Sequence, residues 1–149
     1  MLSRENLLQS VGQPIGSSEW FEVRQEQIDA FADVTEDWQP IHLDAAAGRD
    51  AGFDGTVAHG FLTLSMLSAM SYQVLPAMPG ETASLNYGFD RIRFIAPVPG
   101  GARIRGHFTL SDATTRRGTG WMLRFAVSVE IEGADKPALT ADWLCLYLF

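Results

Sequence analysis

Between Glu36 and Asp44 the chain reads EDWQPIHLD, three carboxylates and one imidazole in nine residues around a proline. Proton transfer at neutral pH calls for such a set, because histidine titrates near neutrality and an adjacent carboxylate can share a water or a proton with it. Asp37 and His42 lie five positions apart on either side of Pro40, whose ring disfavours helical backbone at Gln39. The segment is therefore expected to be extended or turned, and a restrained loop that aims both side chains at one water sets the geometry in advance of reaction. Taken alone, the same residues also describe a polar turn. Asp44 suits the N-cap of a short helix over AAAGRDAGF, which Gly48 or Gly52 would stop.

A second stretch, FDGTVAHGFLTLSMLSAMSYQVLP, follows within a few residues. From His59 to about Val74 apolar residues fall on nearly every side of a helical wheel, with Gly60, Ser65, Ser68, Ala69 and Ser71 between them, which predicts one long buried helix. Gly60 opens it. A first-turn N–H has no intrahelical acceptor, the helix dipole favours negative charge there, and the missing side chain lets an oxyanion approach; Gly60 could equally serve close packing. His59 either holds the preceding loop by a hydrogen bond or lines a pocket.

The elements around these stretches change character midway. The first half reads as helix and loop: an extended piece near Trp20 to Val23, then a helix carrying Ile28, Phe31, Ala32 and Val34 that ends near Thr35. The second half holds four period-two runs, SLNYGFDRIRFIAPV, ARIRGHFTLSDA, GWMLRFAVSVEIEG and PALTADWLCLYLF, separated by turns such as PVPGG and EGADKP. Consecutive runs of this kind make an antiparallel sheet with one polar face. A sheet that curls around a buried helix is an α+β arrangement, and its free edges predict a homodimer.

Composition narrows the function. The 149 residues suit one domain over 1–149, with a core that needs no staples. A net charge of −7 argues against general nucleic-acid binding, which requires a basic face. The longest apolar stretch is too short to span a bilayer, the N-terminus has no secretory pattern, and the one cysteine, Cys145, excludes an intrachain disulfide, so a cytoplasmic protein is expected. Arg91, Arg93, Arg103 and Arg105, followed by Arg116 and Arg117, are read as outward charges on strands or as a phosphate-binding face. His107 lies outside both motifs and is given no function.

DWQPIH followed by AHG resembles the MaoC-like dehydratase family of hotdog-fold proteins, which includes (R)-specific enoyl-CoA hydratases and whose pattern is DxNPxH, then a small residue and HG. Asp37, Pro40, His42, Ala58, His59 and Gly60 match, and Gln39 stands where asparagine is usual. AHGFLTLS, LNYGFDRIRFIAPV and the aromatic terminus are similar to the nodulation protein N-like branch. The resemblance implies a hotdog fold, with an antiparallel sheet wrapped around a long central helix, and the reversible addition of water to a trans-2-enoyl-CoA to give a (3R)-hydroxyacyl-CoA. It makes Asp37 and His42 the water-activating pair and Gly60 the oxyanion donor. Gln39, His59, Ser65 and Ser68 become substrate-binding candidates; the two serines could touch an acyl tunnel or bond back to helix carbonyls. No metal or cofactor is implied, only a coenzyme A thioester as substrate, with acyl carrier protein a less natural partner for an acidic chain.

Three other readings share these residues. A hotdog protein can be an acyl-CoA thioesterase, attacking the carbonyl instead of the alkene. His42, Asp44 and His59 can be read as a two-histidine, one-carboxylate iron site, although such triads use well-separated ligands on a β-framework. The fold can also bind acyl-CoA without catalysis.

Overall fold

The structure is a computed structural model and describes residues 2–118 and 120–149. A 3₁₀ turn at Leu8–Ser10 leads into β1 (Pro14–Ser17) and β2 (Phe21–Glu22). The helices are α1 (Gln25–Thr35), α2 (Pro40–Leu43), α3 (Ala45–Asp50), α4 (Gly60–Ser65) and α5 (Leu67–Val74). The strands β3 (Ala83–Phe94), β4 (Arg103–Thr115), β5 (Trp121–Ile131) and β6 (Leu139–Leu148) follow. They pair antiparallel in the order β1-β4-β5-β6-β3, and β2 extends the β1 side by pairing with β4.

Period-two patterning makes this sheet two-faced. Ile104, Phe108 and Leu110 of β4, Phe125, Val127 and Val129 of β5, and Leu139, Ala141 and Trp143 of β6 turn inward and are buried. Leu67 and Met70 of α5 join the same core. The helix comes close because Gly106 in β4 has no side chain: a Cβ there would stand 3.0 Å from Met70 Sδ and 2.8 Å from Phe108 Cε2. The opposite face carries charge in register. Arg103 pairs with Glu132, and Arg105 lies directly across from Glu130, 2.8 Å from its carboxylate. His107 links Glu130 to Ser17 of β1, at 2.7 and 2.5 Å, and Trp20 lies under both guanidinium groups. Arg105, and after it His107, holds the Glu130 carboxyl below its ordinary range. Arg103 and Arg105 are thus outward strand charges matched by neighbours.

Two expectations about the helices need correction. The stretch from His59 to Val74 is not one long helix but two, α4 and α5, meeting at Met66, where ψ flattens to −10°. Just before the break Ser65 Oγ donates to the Phe61 carbonyl at 2.7 Å, the kind of back-bonding that bends helices. Nor is the pair wrapped on all sides, since Phe61 and Tyr72 are two-thirds exposed. A single sheet covers one flank only. The other flank borders the apolar edge strand β3, where Leu85, Tyr87 and Phe94 are also exposed.

The segment after α1 contains a short helix, because Pro40 occupies the first helical position of α2, where its missing N–H is harmless. Gln39 itself stays non-helical at ψ 128°. Asp44 caps α3, accepting from Ala46 N at 2.9 Å. Of the two glycines proposed as its stop, Gly52 performs it: with φ +98° it donates to Arg49 O, while Phe53 N–H reaches back to Gly48 O, a Schellman closure. Gly48 lies inside the helix for another reason. A Cβ there would fall 1.9 Å from Gly55 O, so its bare backbone docks α3 against the loop that leads into α4.

Gly48→Ala is therefore expected to destabilise the fold by on the order of 3 kcal/mol, through overpacking against backbone that cannot yield, as a lowered urea midpoint will show. Burial pushes the Cys145 thiol up to about 12. Native protein at pH 8 should accordingly resist iodoacetamide and become alkylated only on unfolding; rapid native labelling would place Cys145 outside the core.

Candidate active site

The site is assembled from three pieces that meet away from the charged face of the sheet. The first is the link between α1 and α2. Helix α1 ends at Glu36 in the left-handed region, at φ 60°, the one non-glycine residue among those described with positive φ. This reverses the chain so that Asp37 leads directly into α2. The second is the loop from Gly52 to His59, and the third is the extended run from Phe94 to Val98 after β3. Val57 joins all three: its N–H donates to Ile41 O at 3.1 Å, it bridges to Pro99, and its carbonyl receives His42 Nδ1 at 2.6 Å. Ala58 N–H adds a bond to Val98 O at 2.8 Å.

These bonds determine what each imidazole presents. A carbonyl only accepts, so His42 Nδ1 carries the proton and Nε2 is left with a lone pair. His59 donates from Nε2 to the backbone carbonyl of Asp37 at 3.0 Å, which leaves its Nδ1 as the acceptor. The two rings stack with centroids 3.8 Å apart and planes 25° from parallel, and Phe31 closes the other side of His59 at 4.9 Å. Both histidines are buried, whereas Asp37 is exposed, its Oδ1 accepting weakly from Gln39 N–H at 3.4 Å.

A carboxylate oxygen of Asp37 and one ring nitrogen each of His42 and His59 all lie within 4.8 Å of one another. One oxygen placed among them can touch all three at an ordinary hydrogen-bond length of roughly 2.8 Å. The carboxylate that joins the two histidines is Asp37; Asp44 of the iron reading is engaged as the cap of α3. Each ring has one nitrogen bonded to a backbone carbonyl and one left over, and with the Asp37 carboxylate they make a set that suits a hydrogen-bonded water or hydroxyl.

Asp37, His42, His59 and Gly60 all line one cavity of about 520 Å³, whose remaining wall is largely apolar: Ile41, Phe53, Val57, Phe61, Phe94 and Ile95 among others. Gly60 is the first residue of α4, and the Phe94 ring lies against it, 3.1 Å from where a Cβ would stand. Gln39 does not line this cavity. Ser65 and Ser68 border a separate space of about 170 Å³ between α5, β3 and β6, with Leu64, Asn86, Phe89 and Trp143.

Two contributors carry no sequence signal of their own type. Gln25, at the start of α1, donates to the His42 carbonyl at 2.8 Å and accepts from Thr56 Oγ1 at 2.6 Å, tying α2 to the incoming loop. Gly100 leaves room for that link, since a Cβ there would stand 2.5 Å from Thr56 Oγ1. The other is Thr63, buried in the cavity wall one helical turn beyond His59.

Comparison with known proteins bears on the family and the fold. The chain is 45% identical over 149 residues to nodulation protein N of Rhizobium meliloti, covering 99% of this chain and 92% of that protein. It is 34% identical over 143 residues to 3-hydroxyacyl-thioester dehydratase Z of Mycobacterium tuberculosis, covering 96% and 94%. The fold matches the crystal structure of the MaoC-like dehydratase from Rhodospirillum rubrum with a TM-score of 0.79 at 21% identity, over 98% of this chain and 96% of that one, which makes the sheet and its helices a hotdog fold. Residues 6–129 match the MaoC-like domain, and the chain belongs to that dehydratase family.

Proposed function

We propose that the protein catalyses the reversible addition of water across the double bond of a trans-2-enoyl-CoA, forming a (3R)-hydroxyacyl-CoA. The observation that carries this reading is the Asp37 carboxylate beside a ring nitrogen of His42, whose Nδ1 is engaged by the Val57 carbonyl, in a mostly apolar cavity that Gly60 also lines. Hydratase and dehydratase names among the relatives support it.

The chemistry follows from the donor and acceptor inventory. A water between Asp37 and His42 gives one hydrogen to each. As its oxygen bonds to the β-carbon, His42 Nε2 takes one proton, and the ionised Asp37 nearby favours the imidazolium so formed. The electron pair of the alkene moves onto the thioester oxygen, where the Gly60 N–H at the opening of α4 receives the developing charge. The imidazolium returns its proton to the α-carbon, so that water has been added in full and the site is reset. Hydroxyl and proton arrive from the same side, since one pair of residues handles both. His59 holds Asp37 by its backbone and His42 by stacking, and so acts as a positioning residue in this scheme.

The exposed apolar residues belong to the same proposal. Phe61 and Phe94 line the cavity yet are exposed, at 66% and 49%, beside the unpaired edge of β3 with Leu85 and Tyr87. A second copy of the chain seated against this edge would cover the patch and close the cavity mouth.

Purified protein with crotonyl-CoA should lose the enoyl absorbance without releasing free thiol; thiol release with the double bond intact would make it a thioesterase. Asp37→Asn should lower kcat by about 10²-fold or more, as expected for loss of an acid/base group, and unchanged turnover would remove the pair from the mechanism. Sedimentation equilibrium should report twice the chain mass, and Tyr87→Arg should shift it toward the single chain; a monomeric parent protein would refute the edge pairing.

A further inference from the structure

Resting on the hydratase reading above, we propose that Thr63 is a specificity residue whose hydroxyl donates to the oxygen on the third carbon of the acyl group, so that the site holds the hydroxyacyl thioester in preference to the enoyl thioester.

The starting observation is a pair of buried atoms. Among the described residues, His59 Nδ1 and Thr63 Oγ1 are the buried side-chain polar atoms that find no hydrogen-bond partner, and both residues are only 2% exposed. Both line the cavity that holds Asp37 and His42. Their coincidence there points to a ligand, because a polar atom shut away without a partner is costly unless something that enters the cavity supplies one.

Thr63 also differs from three other helical hydroxyls of this chain. Thr35, Ser65 and Ser71 each turn back to a carbonyl of their own helix, at 2.6, 2.7 and 2.8 Å. Thr63 makes no such bond, although the His59 carbonyl one turn before it is near enough to accept its backbone N–H at 3.3 Å. Its hydroxyl is therefore not spent on the helix backbone.

The donor inventory says what it would bind. The acceptors among the groups that line the cavity are the Asp37 carboxylate, the second ring nitrogen of His42 and, with its Nε2 proton given to Asp37 O, His59 Nδ1. A hydroxyl on the substrate has one hydrogen to give and lone pairs that need a donor. Among the side chains lining the cavity, Thr63 carries the one neutral O–H. Thr63 also stands three residues along α4 from Gly60, an axial rise of about 4.5 Å. That is of the order separating a thioester oxygen from an oxygen on the third carbon. The enoyl thioester has no oxygen there and leaves Thr63 unpartnered.

The test is calorimetric binding of (R)-3-hydroxybutyryl-CoA and of crotonyl-CoA in an Asp37→Asn background that arrests turnover, with and without Thr63→Val, which keeps the side-chain shape. Removing the hydroxyl should weaken the hydroxyacyl ligand about tenfold and leave the enoyl ligand within about twofold, and Thr63→Ser should restore the difference. The thermal midpoint of Thr63→Val should equal or exceed that of its parent, because no internal bond is lost. Equal weakening of both ligands, no weakening of the hydroxyacyl ligand, or a lowered midpoint would overturn the role of Thr63 while leaving the hydratase reading in place. Failure of the parent to bind either thioester would overturn both.

Discussion

The bond from His42 Nδ1 to the Val57 carbonyl holds the site together. It fixes the tautomer that leaves Nε2 free to accept a proton, and it fastens α2, which carries His42, to the loop that delivers His59 and Gly60. Val57 can do this because its own N–H is held by Ile41 and its position by the bridge to Pro99. One residue thus ties its own loop to α2 and to Pro99. Gln25 repeats the design from below, gripping the His42 carbonyl and Thr56 with the two ends of one amide. The imidazole is consequently held at both its ring and its backbone, which is what preorganisation requires.

Around this polar point the wall of the cavity is mostly hydrocarbon, and that contrast gives the few polar groups their weight. In an apolar surround a hydrogen bond is electrostatically stronger and an unmade one more expensive. The stacking of His42 on His59 has the same effect on geometry, since neither ring can turn without disturbing the other. Among the described non-glycine residues, left-handed backbone occurs at Glu36, just before Asp37, where it costs about 1 kcal/mol or more and turns the chain toward the histidines.

The sheet serves the site at a distance. Its charged face is matched across strands, with Arg103 to Glu132 and Arg105 to Glu130, so these arginines are engaged before any phosphate arrives. Its apolar face supports α5, and its unpaired β3 edge leads straight into the residues that close the cavity from the other side. The exposed flank of α4 and α5 continues that edge, which is why the helix pair reads as fully apolar in sequence yet is half open in the single chain.

Much of this was legible in the residues themselves. Period-two runs specify two-faced strands, a proline specifies the non-helical residue before it, and an aspartate before AAAGRD specifies a cap, because each of these depends on neighbours a few positions away. The closeness of Asp37 to His42 belongs to the same class, being set by one short loop. What only the tertiary structure decided depends on atoms far apart in sequence. The break at Met66 follows from a local back-bond, but which flank is covered follows from the reach of one sheet. Gly48, read as a helix stop, is bare because Gly55 O lies against it. Gln25 meets His42 across seventeen positions, and whether a helical hydroxyl turns back on its carbonyl, as Ser65 does, or makes no such bond, as with Thr63, is settled by the walls around it. Local periodicity records which side of an element is apolar; only packing determines what stands opposite.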